Sequence, residues 1–320
     1  MFEYRLSLTS RSLQDWEHVA PKVWQVLHDF RIGEDSDLAI AVPPDHSPGL
    51  LFGWQTDDCD CSERLLEEFG RALQDDETTV VKLGEFAAPQ TKGPSRFSAI
   101  RDEFRAAICD DLVALNISHP EDPAERLVEF GTWFLLLDRL RWADDRRLWP
   151  ISLFGQVTLF TRAQQDRLQQ FNRAADRIHP GLQAALARDR IFLRDADLPP
   201  ERASLLSKFQ SAYDAVWDSA ASLTAQQRAE YGRDTEDMLL NLLAGEVSAD
   251  EAQQIAGHSQ HLTFRTFMSL LYDLCPILGI PTSRRLVTFL AIHRLLNEEY
   301  PERVEAAEDA ARRLLEPTDG

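Results

Sequence analysis

The sequence predicts an α+β fold that is predominantly helical, a small N-terminal sheet with helices followed by a helical C-terminal two thirds. Two observations predict it. Hydrophobic spacing changes period repeatedly over residues 1–97, as it does where short strands and helices alternate, and from about Ser98 it settles into helical spacing. A third observation sets the scale: 320 residues with 44% hydrophobic content are enough to bury a sizeable core.

Taken in order, FEYRLSL (2–8) alternates like a strand, and Ser12 to Phe30 has helical spacing with Pro21 as the expected break. DLAIAV (37–42) is a short apolar run, and GLLFGW (49–54) follows the loop PPDHSPG as another strand. Glu63 to Leu73 reads as a helix, and TTVVKLGEF (78–86) is rich in β-branched residues and reads as a strand. Beyond Ser98, helical periodicity runs through Phe97 to Leu115, Ala124 to Leu140, Gln164 to Ala175 and several segments from Ala203 to Leu315. Asp122 and Pro123 form a helix start, with Asp122 as cap and proline at the first helical position. Pro180-Gly181 and Pro199-Pro200 punctuate the middle of the chain.

The formal charge of −19 excludes nonspecific nucleic-acid binding, because such a field repels a phosphate backbone. The most basic run, DRLRWADDRR (138–147), alternates with Asp and reads as a solvated helix end. No apolar run reaches membrane-spanning length and the N-terminus lacks a secretory signal pattern, so a cytoplasmic protein without a membrane partner is expected. Cys59, Cys61, Cys109 and Cys275 are too few for a disulfide framework, and the C-x-C in its acidic stretch lacks the second pair a metal site needs. No metal and no cofactor are expected. Phosphate-loop, dinucleotide, H-E-x-x-H and G-x-S-x-G motifs are absent. Trp133, Trp142 and Trp149 read as core, whereas Trp54 lies beside two glycines where a ligand could approach the backbone closely.

The stretch HSQHLTFRTFMSLLYDLCPILGI (258–280) differs from an ordinary core helix. At about 100° per residue, His258, His261, Arg265, Ser269 and Tyr272 fall within an arc of roughly 80°, opposite the apolar Phe264, Phe267, Leu270, Leu271 and Leu274. Two imidazoles, a guanidinium, a hydroxyl and a phenol are the groups used for proton transfer and carbonyl polarisation.

Three patches, in order along the chain, resemble the glutamate-elimination domain of lantibiotic dehydratases and, more closely in size and in what is missing, the stand-alone thiopeptide pyridine synthases. DLAIAVPPDHSPGLLFGW (37–54) has the shape of the elimination domain's strand-loop-strand, but Ala41 and Val42 stand at its Arg-Tyr pair and Leu51 and Gly53 near its other arginines. FAAPQTKGPSRFSAIRDEFRAAICDD (86–111) matches the layout of the second patch, with Lys92 and Gly93 near the family's Arg-Tyr-Gly-Gly. The third is Ser269-Leu270-Leu271-Tyr272, running on to Leu278-Gly279-Ile280.

The resemblance implies one elimination-domain-like unit over 1–320, with an α/β part at 1–97 and a mainly helical part at 98–320. It implies a formal four-plus-two aza-cyclisation of two dehydroalanines in a leader-bearing ribosomal peptide, with water and leader lost to leave a pyridine. The catalytic residues implied are Tyr272, Ser269, His261 and Arg265, and substrate contacts fall to Trp54, His258, Leu51 and Gly53. Partners would be the leader-bearing precursor, held near the N-terminal strands, and other enzymes of its pathway. Two alternatives stay open: a glutamate-eliminating lyase, which needs cations for the departing carboxylate, and a non-catalytic leader-binding scaffold.

Overall fold

The computed structural model describes residues 2–33, 38–43, 47–55, 59–86, 95–118, 123–140, 157, 165–193, 196–231, 248, 250, 259–280, 282–302 and 304–305. The fold is α+β and mostly helical, with a four-stranded antiparallel sheet near the N-terminus. The chain divides into two compact units, one of residues 1–123 with 273–280 and one of 124–272 with 281–320.

The first unit is built on β1 (Phe2–Ser10), β2 (Leu38–Ala41), β3 (Gly49–Gln55) and β4 (Thr79–Phe86), in the order β2-β3-β1-β4. Around them run α1 (Leu13–Gly33), α2 (Cys59–Ala72), α3 (Ser95–Ala107) and α4 (Cys109–Ser118). All four strands fall where the sequence places them, β1 by alternation, β4 by β-branching, and β2 and β3 by short apolar runs on either side of a loop. The register of β1 shifts between Tyr4 and Leu6, so Arg5 is an extra residue against β3. A bulge of this kind reverses side-chain parity beyond it. Leu6 and Leu8 therefore share a face with Leu50 and Phe52, and Phe52 packs on Phe69 of α2 with ring centroids 5.3 Å apart. Tyr4 turns to the other face, where it clusters with Leu51, Ala41 and Phe86.

Pro21 does not break α1, which runs from Leu13 to Gly33 with the proline inside. Removing one helical hydrogen bond costs about 3 kcal/mol, but Trp16, Val19, Val23, Trp24, Leu27 and Phe30 bury one continuous stripe on both sides of it, at roughly 1.5–3 kcal/mol each. The C-x-C belongs to a helix: α2 begins at Cys59, and Cys61 is buried. The periodic stretch from Phe97 is divided, α3 ending at Ala107 and α4 starting at Cys109.

In the second unit α5 (Pro123–Leu135) is the central element, continued by a 3-10 turn over Leu136–Arg139. It starts at the expected proline, while its expected cap Asp122 lies outside the described residues. Phe130, Trp133, Phe134 and Leu135 to Leu137 are all buried. With α5 run α6 (Leu168–Asp189), α7 (Pro200–Ala221), α8 (Ser259–Tyr272) and α10 (Thr282–Glu299). The short α9 (Leu274–Ile277) belongs to the first unit and is followed, after Leu278, by Gly279, whose φ of +63° suits glycine.

Pro180-Gly181 does not interrupt α6 either. Phe171, Ala175, Ile178, Leu182, Ala185 and Leu186 keep one buried stripe through it. Gly181 is required for another reason: a Cβ there would lie 2.7 Å from Val128 Cγ2, and one at Gly131 would lie 2.7 Å from Leu182 Cδ2. Two glycines thus let α5 and α6 approach at contact distance. Pro200, in contrast, opens α7 at its first position. The run read as solvated at 138–147 is partly interior, since Asp138 is buried and Arg139 donates to the carbonyls of Leu193 and Ala196. Residues 141–147 lie outside the described residues.

Candidate functional site

The stripe singled out in the sequence sits on α8, and each of its members has a distinct setting. Phe264, Phe267, Leu270 and Leu271 are buried on the opposite side, as is Leu274 just beyond the helix. His258 lies outside the described residues, and the side chain of His261 is likewise undescribed. Arg265 is half-buried and Ser269 is exposed. The Ser269 hydroxyl donates to the Arg265 carbonyl at 3.0 Å, so its proton is held by its own helix until the rotamer changes.

Tyr272 is the most constrained of these groups. Its ring stacks on Phe134 at 6.0 Å with planes 24° apart and leans on Phe289 at 5.6 Å, and the Arg285 guanidinium sits 5.0 Å from its centroid. Three contacts from α5 and α10 fix the ring and hence the direction in which its hydroxyl points. A positioned phenol can donate a proton to an oxygen that gains charge or departs. Arg285 has a buried Nε without a hydrogen-bond partner and was not legible as a member of the stripe, because it belongs to α10.

Trp54, Leu51 and Gly53 are placed differently from α8. All three are interior to the sheet of the first unit, Leu51 and Trp54 at 1% exposure, so those two side chains serve as core there. The space above Gly53 is taken by the protein itself, because a Cβ there would lie 3.1 Å from Cδ1 of Tyr4. A glycine that looked open to a ligand accommodates the ring of the opposing strand.

That ring leads to a second cluster, on α3. On α3, Arg101 and Arg105 are one turn apart and 1% and 2% exposed, and the intervening Asp102 is also buried. The Tyr4 hydroxyl donates to Asp102 Oδ1 at 3.0 Å, and Arg101 Nε donates to the same oxygen at 3.0 Å. Burial pushes the Tyr4 phenol up to about 12, with the nearby Arg105 opposing and Asp102 adding to the shift, so it stays a neutral donor. Arg105 is the outlier. Its Nη2 is 3.7 Å from Asp273, whose side chain is 41% exposed, while its buried Nε and Nη1 have no hydrogen-bond partner. Each such orphaned donor costs about 1–3 kcal/mol. The available signal was spacing: arginines at i and i+4 beside Phe97, Ile100 and Phe104 lie on the edge of an apolar stripe.

Among the described residues no group of three or more His, Cys, Asp or Glu is placed to hold a metal ion, and no helix is long and apolar enough to cross a membrane. No family model matches the chain, and no curated protein sequence matches it. A solved structure described as "Crystal structure of TsrL" is similar to it, at 12% identity and a TM-score of 0.61, with 99% of each chain covered. The fold is TsrL-like. At that identity the likeness establishes architecture from end to end, and the chemistry has to be argued from the residues.

Proposed function

We propose that this chain is a peptide-modifying cyclase that joins two dehydroalanines of a leader-bearing ribosomal peptide by a formal four-plus-two aza-cyclisation. The observation that carries this thiopeptide-related reading is the fold shared with TsrL over 99% of both chains, and the ordered patches that resemble pyridine synthases agree with it. In the reaction an amide beside one dehydroalanine tautomerises to its iminol, and the resulting azadiene forms two bonds to the second alkene. Water then leaves with the former amide oxygen, and the leader leaves as its amide, which aromatises the ring.

Holding the two alkenes together supplies much of the acceleration, because closure of a large peptide ring is entropically costly. Proton movement falls to the stripe. Tyr272, held by Phe134, Phe289 and Arg285, protonates the departing hydroxyl. Ser269 orients the group once its hydroxyl leaves the Arg265 carbonyl, His261 shuttles protons, and Arg265 holds a backbone carbonyl. The leader docks on the sheet of the first unit, where β4 is an outer strand and exposes Val80 and Leu83.

Mass spectrometry of the purified protein incubated with a leader-bearing peptide containing two dehydroalanines tests the reading. Loss of water together with release of the leader amide supports it, and an unchanged mass overturns it. Tyr272→Phe keeps the ring stack and is expected to slow cyclisation by about 10²–10⁴-fold. Full activity of that variant would remove Tyr272 from the mechanism.

A further inference from the structure

We propose that Arg285 is a further catalytic residue of the site on α8, donating to the amide oxygen of the substrate peptide that Tyr272 protonates. The identity of that substrate rests on the cyclase reading, and the assignment of Arg285 rests on its own unfilled donors. Arg285 is half-buried near the start of α10, with its guanidinium carbon 5.0 Å from the centre of the Tyr272 ring. Its Nε is buried and meets no acceptor, and among the described residues its side chain forms no hydrogen bond and no ion pair. A cation over an aromatic face gains from the negative charge of the ring, but that contact fills none of the five N–H donors of the fork. The donors therefore stay available beside the phenol.

The position is open to a peptide. Tyr272 is half-buried, Ser269 about one turn earlier on α8 is exposed, and Arg284 next to Arg285 is exposed. Arg265 is less suited to the same oxygen, because it lies seven positions before Tyr272, about 10 Å along the helix axis, and serves a different carbonyl. The chemistry at the oxygen matches a guanidinium. When the amide becomes an iminol, its N–H bond breaks and the proton passes to water. The C–N bond becomes double as the carbonyl π pair moves onto oxygen, and the oxygen takes a proton from Tyr272, which water restores. Negative charge collects on the oxygen between those two transfers, and N–H donors already aimed at it bind it more tightly then than in the resting amide. The same oxygen later departs as water, so one cation serves both steps.

Steady-state cyclisation of a leader-bearing peptide with two dehydroalanines, followed by mass spectrometry, tests Arg285 in the full chain. Arg285→Gln is expected to lower kcat by about 10²–10³-fold while KM changes by less than about threefold, because the interaction strengthens only as charge develops. Arg285→Lys, which keeps the charge but loses the fork, is expected to lose about tenfold, and it decides the matter if Arg285→Gln does not fold. Added guanidinium at a non-denaturing concentration is expected to restore part of the rate of Arg285→Ala, and ammonium at the same concentration to restore less. The exposed neighbour Arg284→Gln serves as a control that leaves the rate unchanged. Full kcat in Arg285→Gln, a raised KM with kcat intact, or a loss in Arg285→Ala that guanidinium does not relieve overturns the assignment while the cyclase reading stands. A parent protein that leaves the peptide unchanged overturns both.

Discussion

Arg202 is half-buried and Arg105 fully buried, and the two units satisfy these cations in opposite ways. In the second unit Arg202 donates through Nη1 and Nη2 to Glu129 of α5 and through Nε to Asp189 Oδ2 at 2.7 Å, and Asp189 also accepts from Arg188 Nε at 2.6 Å. In the first unit Arg105 has one ion pair at 3.7 Å and two unpartnered nitrogens. A guanidinium with all three nitrogens engaged ties α5, α6 and α7 together, and one with two unpartnered nitrogens is destabilising unless something else completes it.

The largest expected effect follows directly. Arg202→Met leaves Glu129 without this cation and Asp189 with Arg188 alone and is expected to destabilise the protein by about 3 kcal/mol, whereas Arg105→Met, which removes donors that have no acceptor, is expected to leave stability unchanged or to raise it. Urea denaturation of both variants measures the contrast, and equal losses would break it. The Arg202 cluster also has an acid limit. Although burial alone would raise the Asp189 carboxyl, its hydrogen bonds from Arg188 and Arg202 hold it below the usual carboxylate value, so its contribution is present above that value and is lost as pH falls through the lowered one.

Tyr4 sharpens the comparison at the alkaline end. Its phenol titrates near 12 in the folded chain and near 10 when unfolded, so the unfolded state loses its proton first. The stabilisation is complete below about pH 10 and disappears by about pH 12, a total of roughly 2.7 kcal/mol. Urea midpoints at pH 9 and pH 11 should converge in Tyr4→Phe and separate in the parent protein.

Backbone approach gives the next effect. Gly131→Ala places a methyl 2.7 Å from Leu182 and 3.0 Å from Thr288, and is expected to cost about 1–3 kcal/mol in thermal or chemical unfolding. Gly70 on α2 is the counter-example, because nothing lies within 4 Å of its added Cβ. Gly70→Ala is expected to stabilise by about 0.5–1 kcal/mol, and a loss there would mean that α2 packs more tightly than its geometry shows.

The candidate sites were unequally legible in the sequence. The stripe on α8 was visible because helical periodicity needs only residues a few positions apart, and its buried opposite face agrees. Arg285 was not visible as Tyr272's neighbour, since they meet across two helices. Trp54 and Gly53 looked open to a ligand for a similar reason: the ring that fills the space comes from Tyr4, 49 positions earlier than Gly53.

By itself the sequence determined the local period of each element, hence the strands at 2–10, 38–41, 49–55 and 79–86 and the helices that follow. Alternation and 3.6-residue spacing are properties of neighbouring residues, so no partner is needed to read them. Only the tertiary structure decided that α1 and α6 continue through their prolines, that Arg5 bulges and turns Tyr4 towards Asp102, and that Arg105 is left short of acceptors. Those outcomes depend on burial and on what lies opposite, which are set by the packing of segments far apart in the chain.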